Sequence, residues 1–135
     1  MGLAMLINTS EIDSRAGHRG AELLDVSPVD LKHLRRYTFG DVKLEKEILE
    51  LFFGQLPQTV ASLRDAATER DWMMAAHTLK GSARAVGAWR IGRLAEHAER
   101  TMPIANEVLR AQAIARIEEA SEEARGFIEA AYSDG

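Results

Sequence analysis

Apolar residues recur every three or four positions through most of this chain, the spacing of one face of an α-helix. The cleanest run lies near the C-terminus, where Leu109, Ala113, Ile117, Ala120, Ala124, Phe127 and Ala131 form one continuous stripe. A second run comprises Leu44, Ile48, Leu51, Phe52, Leu56, Val60, Leu63 and Ala67. Asp41 is placed to cap it, Pro57 inside it is expected to kink it, and it should fade near Arg70. Asp71 is read as the cap of a third helix from Trp72 to about Ala88, with Gly87 loosening its end. A fourth carries Ile91, Leu94, Ala95 and Ala98, and Pro103 marks the break after it. Upstream, Ser27 followed by Pro28 predicts the start of a shorter helix, with Leu31, Leu34 and Tyr37 or Thr38 on one face and Gly40 at its end. Residues 1–26 show no sustained period and contain Gly17 and Gly20, so they read as a partly ordered arm with room for one short helix. No strand-like alternation appears. The expected architecture is all-α: an antiparallel four-helix bundle over residues 27–135 with an extra N-terminal helical arm.

Composition narrows the function. At 135 residues the chain can bury a core without a metal or disulfide staple, and with aromatics at 6% that core must be built from Leu, Ile, Val and Ala. The absence of cysteine removes disulfides, thiolate nucleophiles and thiolate-bound zinc. His18, His33 and His97 do not fall into ligand spacing, and no Glu-x-x-His pair occurs, so no metal site is expected. The net charge of −4, with both signs interspersed, argues against a general nucleic-acid binder. The apolar start Met1 to Ile7 is too short to span a bilayer and lacks a basic lead or a cleavage-like site. A cytoplasmic protein with no membrane partner is the expectation.

The chemistry is concentrated in His77-Thr78-Leu79-Lys80-Gly81-Ser82-Ala83-Arg84. Trp72, Ala76, Leu79, Ala83 and Val86 share a narrow arc, which must be the buried face. His77, Lys80, Gly81 and Arg84 form a second stripe on the other side, so the histidine is expected to face solvent beside two cations. An imidazole with an ordinary pKa near 6.5 keeps a free lone pair near neutral pH. Lys80, one turn away, is placed to attract phosphoryl oxygens. Gly81 costs about 1 kcal/mol inside a helix relative to Ala, and an opening for a partner's active site supplies a reason for it. Taken singly, each of these residues is an ordinary surface residue; the combination opposite a clean core stripe is what points to a nucleophilic histidine. Met73 and Met74 lie beside the stripe, one suited to packing and the other to an apolar docking patch. Trp72 and Trp89 are read as core. Glu118, Glu119, Glu122 and Glu123 are read as a solvated face.

The run AAHTLKGSARAVGA resembles the signature of histidine-containing phosphotransfer (HPt) domains. His77, Lys80, Gly81 and Gly87 match it residue by residue, as do Phe52 or Phe53, Pro57, Leu63, Ala66 and Asp71 upstream, and the likeness covers about Leu31 to Arg100. It implies a four-helix bundle with His77 exposed on its second helix. It also implies a stoichiometric phosphoryl carrier rather than a turnover enzyme: His77 would be the phosphorylated nucleophile, Lys80 would stabilise the phosphoryl group, and Gly81, Arg84, Met73 and Met74 would meet the partner. That partner would be a response-regulator receiver domain or a hybrid sensor histidine kinase. No cofactor is implied here, since the Mg²⁺ of the reaction belongs to the receiver. Arg84 departs from the small or neutral residue common at its position. Members of the family often place a polar residue on the following helix to orient the histidine; Glu96 and Glu99 are the candidates here.

Two other readings compete. A binding module that is never phosphorylated would not need His77 with Lys80 and Gly81 intact. The dimerising domain of a histidine kinase would be an obligate dimer and be followed by a nucleotide-binding region, for which too few residues remain. A monomeric carrier is the expectation.

Overall fold

The computed structural model describes residues 27–101 and 106–133. Five α-helices account for nearly all of them: α1 (Leu31–Thr38), α2 (Val42–Asp65), α3 (Glu69–Val86), α4 (Trp89–Thr101) and α5 (Glu107–Ala131). There is no strand among the described residues, and none of the described helices is long and apolar enough to cross a membrane. The arm over residues 1–26, His18 and the break at Pro103 lie outside the described residues.

α3 packs against α2 on one side and α4 on the other, and α5 closes on the same two neighbours. The core between them is built from Leu49, Phe52, Leu56 and Leu63 of α2, Trp72, Leu79 and Val86 of α3, Ile91 of α4 and Ile117 of α5. Small residues let the helices approach: Ala76, Ala83, Ala95, Ala98, Ala120 and Ala124 are all buried.

Local signals set the ends. Asp41 caps α2, its Oδ1 accepting the Leu44 amide at 3.0 Å, as expected. α1 begins later than the Ser27-Pro28 pair suggests, because Ser27 to Val29 form a bend and Asp30 is the cap. Its Oδ1 accepts the His33 amide at 3.1 Å, while its Oδ2 accepts the Trp89 indole N–H at 3.0 Å. α3 begins earlier than Asp71, because the Thr68 hydroxyl accepts the Asp71 amide at 3.1 Å and caps the helix one turn sooner. α2 ends at Asp65 rather than near Arg70, and Pro57 sits on its exposed side without ending it.

Two apolar stripes are corrected. In α2, Leu44 and Leu51 are exposed, whereas Glu45, Leu49 and Phe53 are buried. The inward face is shifted because a carboxylate occupies a core position. Glu45 accepts from Arg35 of α1 at 2.9 Å and from the Tyr132 hydroxyl just after α5, so its burial is compensated. Burial pushes the Glu45 carboxyl up, but these two donors more than offset it and hold it below the usual carboxylate range. Burial and the bond to Glu45 together push the Tyr132 phenol up to about 12. In α5, Leu109 and Ala131 are exposed, because only the middle of this long helix is covered; Ile114 and Ser121 are buried there instead.

The α3–α4 turn is tight. Gly87 adopts φ +83°, and a Cβ there would lie 2.7 Å from the Asp30 carbonyl oxygen; the Asp30 amide in turn donates to the Gly87 carbonyl at 2.9 Å. Both the left-handed backbone and the close approach of α1 require glycine. Gly87→Ala is expected to destabilise the fold by about 2 kcal/mol, read from urea unfolding; a loss below about 0.5 kcal/mol, the scale of an ordinary surface change, would contradict this account.

Candidate functional site

α3 is fixed along its length before His77 is reached. Trp72 is fully buried and its indole N–H donates to the Ala98 carbonyl of α4 at 2.8 Å. The Arg110 guanidinium of α5 lies over the Trp72 ring and donates to the Leu63 and Ala66 carbonyls at 3.2 and 2.7 Å, covering the end of α2. Ala76, Leu79 and Ala83 continue the buried face, as the sequence spacing requires. The register of α3 is therefore locked, and the register decides where His77 points.

His77 projects outward with its side chain 69% exposed. Its Nδ1 lies 3.2 Å from Oε2 of Glu99 on α4, and Lys80 Nζ lies 2.8 Å from Oε1 of the same carboxylate. One carboxylate thus bridges the histidine and the lysine. Burial pushes the Glu99 carboxyl up, but the hydrogen bond and charge of Lys80, with the His77 contact, outweigh it and hold it below the usual carboxylate range. An ionised carboxylate only accepts, so it selects the tautomer with the proton on Nδ1 and leaves the lone pair on Nε2.

The two cations are less open than expected. Lys80 and Arg84 have side chains only 19% and 17% exposed. Lys80 stands about a quarter turn from Leu79, at the border of the buried face rather than opposite it. Arg84 reaches across to Glu96 at 2.8 Å, and Gly92 of α4 makes room for it: a Cβ at that position would lie 3.1 Å from Arg84 Cγ. Of the two glutamates weighed as partners for the histidine, Glu99 meets it and Glu96 pairs with Arg84.

Gly81 is partly exposed one turn from His77, and Met73 and Met74 are exposed on the same helix. Met74 borders a groove between α2 and α3 that also includes Gln55, Gln58, Ser62 and Thr78. Trp89 is buried, and His33 lies buried beside it with ring centroids 4.8 Å apart. Glu118, Glu119, Glu122 and Glu123 are exposed, with Glu123 paired to Arg90 at 2.9 Å and Glu118 to Arg64. Among the described residues no group of three or more His, Asp or Glu side chains is arranged to hold a metal ion.

A comparison with protein families matches the Hpt domain over residues 47–129, a span of more than half the chain that runs from within α2 to within α5 and includes His77, Lys80 and Glu99. No curated protein and no solved structure matches the chain. The chain therefore belongs to the Hpt domain family, the histidine phosphotransfer domains of phosphorelays.

Proposed function

We propose that this protein is a stoichiometric phosphoryl carrier that takes the group onto His77 from one receiver-domain aspartate and passes it to another. The observation that supports this best is the histidine itself: an exposed ring whose Nδ1 is engaged by Glu99, leaving Nε2 as the nitrogen open to a partner. In the forward step the Nε2 lone pair forms a bond to phosphorus while the P–O bond of the aspartyl phosphate breaks, and the aspartate leaves as a carboxylate. The return step is the reverse on a second aspartate. Transfer of this kind depends chiefly on positioning and charge stabilisation. Lys80 supplies a cation beside the incoming phosphoryl oxygens; Mg²⁺ is assigned to the receiver and no cofactor to this chain.

Gly81, Met73 and Met74 form the rim that a receiver would meet, and Arg84, held by Glu96, adds positive charge at its edge. In this reading α2 to α5 form an antiparallel four-helix bundle, with α1 braced across one end by Asp30. The protein acts as a cytoplasmic monomer. A receiver domain or a hybrid sensor histidine kinase is the donor.

Lys80→Ala is expected to slow transfer from a phosphorylated receiver by roughly tenfold or more, since a cation aimed at developing charge is removed. Rapid-quench transfer kinetics check this, and wild-type rates in the variant would remove Lys80 from the reaction.

A further inference from the structure

The Glu99 carboxylate faces two functional side chains at once, Oε2 toward His77 Nδ1 at 3.2 Å and Oε1 toward Lys80 Nζ at 2.8 Å. Its own side chain is far more sheltered than the histidine ring it holds. The charge of this group matters in a way its hydrogen bond alone does not. When the ring, protonated on Nδ1, attacks phosphorus, the new P–N bond takes the Nε2 lone pair and no proton leaves. The product is an N-phosphoryl imidazolium whose positive charge faces Oε2. When the phosphoryl group departs, the bonding pair returns to Nε2 and the ring becomes neutral again. If Nδ1 has lost its proton, the departing group would be an imidazolide anion, a much poorer leaving group, and the phosphoryl group stays.

We propose that Glu99 sets the lifetime of the phosphorylated protein, as a positioning residue whose negative charge keeps Nδ1 of phosphorylated His77 protonated and the phosphoryl group ready to leave. The inference rests on His77 being the carrier. On α3, Lys80 shares the Glu99 carboxylate and opposes its effect on the ring, while Arg84 is held by Glu96. From α4 come Glu96 and Glu99 themselves. On the α2 side, the groove beside Met74 includes Asp65 and, from α3, Asp71. A neutral amide at position 99 would still accept from Nδ1 but would not stabilise the cation, so Glu99→Gln isolates the charge.

The test labels the full chain with phosphoramidate, a small donor whose P–N bond breaks with release of ammonia, and then removes the donor. Release of inorganic phosphate is followed from mildly acidic to mildly alkaline pH for wild type, Glu99→Gln, Glu99→Asp and Lys80→Ala. In each, loss slows as pH rises and the imidazolium gives up its proton. In Glu99→Gln the midpoint of that fall should lie about one pH unit lower, so that on the wild-type shoulder the phosphoryl group is lost roughly tenfold more slowly. Glu99→Asp, which keeps the charge, should stay nearer wild type, and Lys80→Ala should not lower the midpoint. An unchanged midpoint in Glu99→Gln, or an equal fall in Lys80→Ala, overturns the proposal. Failure to label wild type, or label that persists in His77→Gln, overturns the carrier reading instead.

Discussion

Exchanging His77 for glutamine is expected to reduce phosphoryl acceptance to background and leave the bundle standing. The ring is largely exposed, and its bond to Glu99 is a surface contact of the kind worth at most about 1 kcal/mol. Glutamine is of similar reach and has an amide N–H for the same carboxylate, but it has no nucleophilic lone pair on nitrogen. Stability should therefore change by less than about 1 kcal/mol, while transfer disappears. Circular dichroism melts and phosphorylation assays on one preparation separate the two effects. A variant that accepts phosphate at the wild-type level would place the nucleophile elsewhere, and a variant that unfolds would make His77 a structural residue.

The largest effect on stability is expected at Trp72, five residues before the histidine on the same helix. The side chain is fully buried, its N–H satisfies the Ala98 carbonyl, and the Arg110 guanidinium covers its ring. Trp72→Ala should cost about 3–5 kcal/mol, a large part of the total stability of an ordinary domain. Trp72→Phe keeps most of the apolar area but leaves the Ala98 carbonyl without its donor, so a loss of about 1–2 kcal/mol is expected. Urea unfolding of both variants checks the order. Equal costs for the two would mean that the indole N–H contributes little beyond packing. The same contact matters for the site, because Ala98 precedes Glu99 and the Trp72 bond holds α4 where that carboxylate can reach His77.

The readings that succeeded rest on local signals. The core arc of α3 could be read because one residue in every three or four must turn inward, and the outward position of His77 follows from the same period. Asp41 was legible because a cap demands a small set of residue types, whereas Gly87, read only as loosening the end of a helix running to about Ala88, is the left-handed cap that ends α3 at Val86. The misreadings have a common physical cause, which is competition between equally suitable neighbours. Ser27 and Asp30 are both good caps, and Asp30 prevails because its other oxygen and its amide are held by Trp89 and Gly87, which are distant in sequence. Thr68 and Asp71 are likewise both suitable caps, and it is the Thr68 hydroxyl that accepts, from the Asp71 amide itself. Glu45 lies outside the apolar stripe read for α2, since only the meeting of α1 and the end of α5 supplies the donors that permit a carboxylate to be buried there. The choice between Glu96 and Glu99 depends on how α4 lies across α3, which Gly92 and Ala98 decide by allowing close approach at one point and anchoring it at another. Lys80 and Arg84 appeared exposed because their acidic partners belong to a different helix.

The most direct test of the central claim is transfer from a radiolabelled, phosphorylated receiver domain to the wild-type protein, followed by trypsin digestion and mapping of the label. Cleavage after Arg70 and Lys80 yields residues 71–80, in which His77 is the sole histidine. The account predicts label on that peptide, lost in acid and retained in alkali as a phosphohistidine requires. Label on a peptide containing His33 or His97 instead, or no label from any of a broad panel of receivers while the protein remains folded, would contradict it.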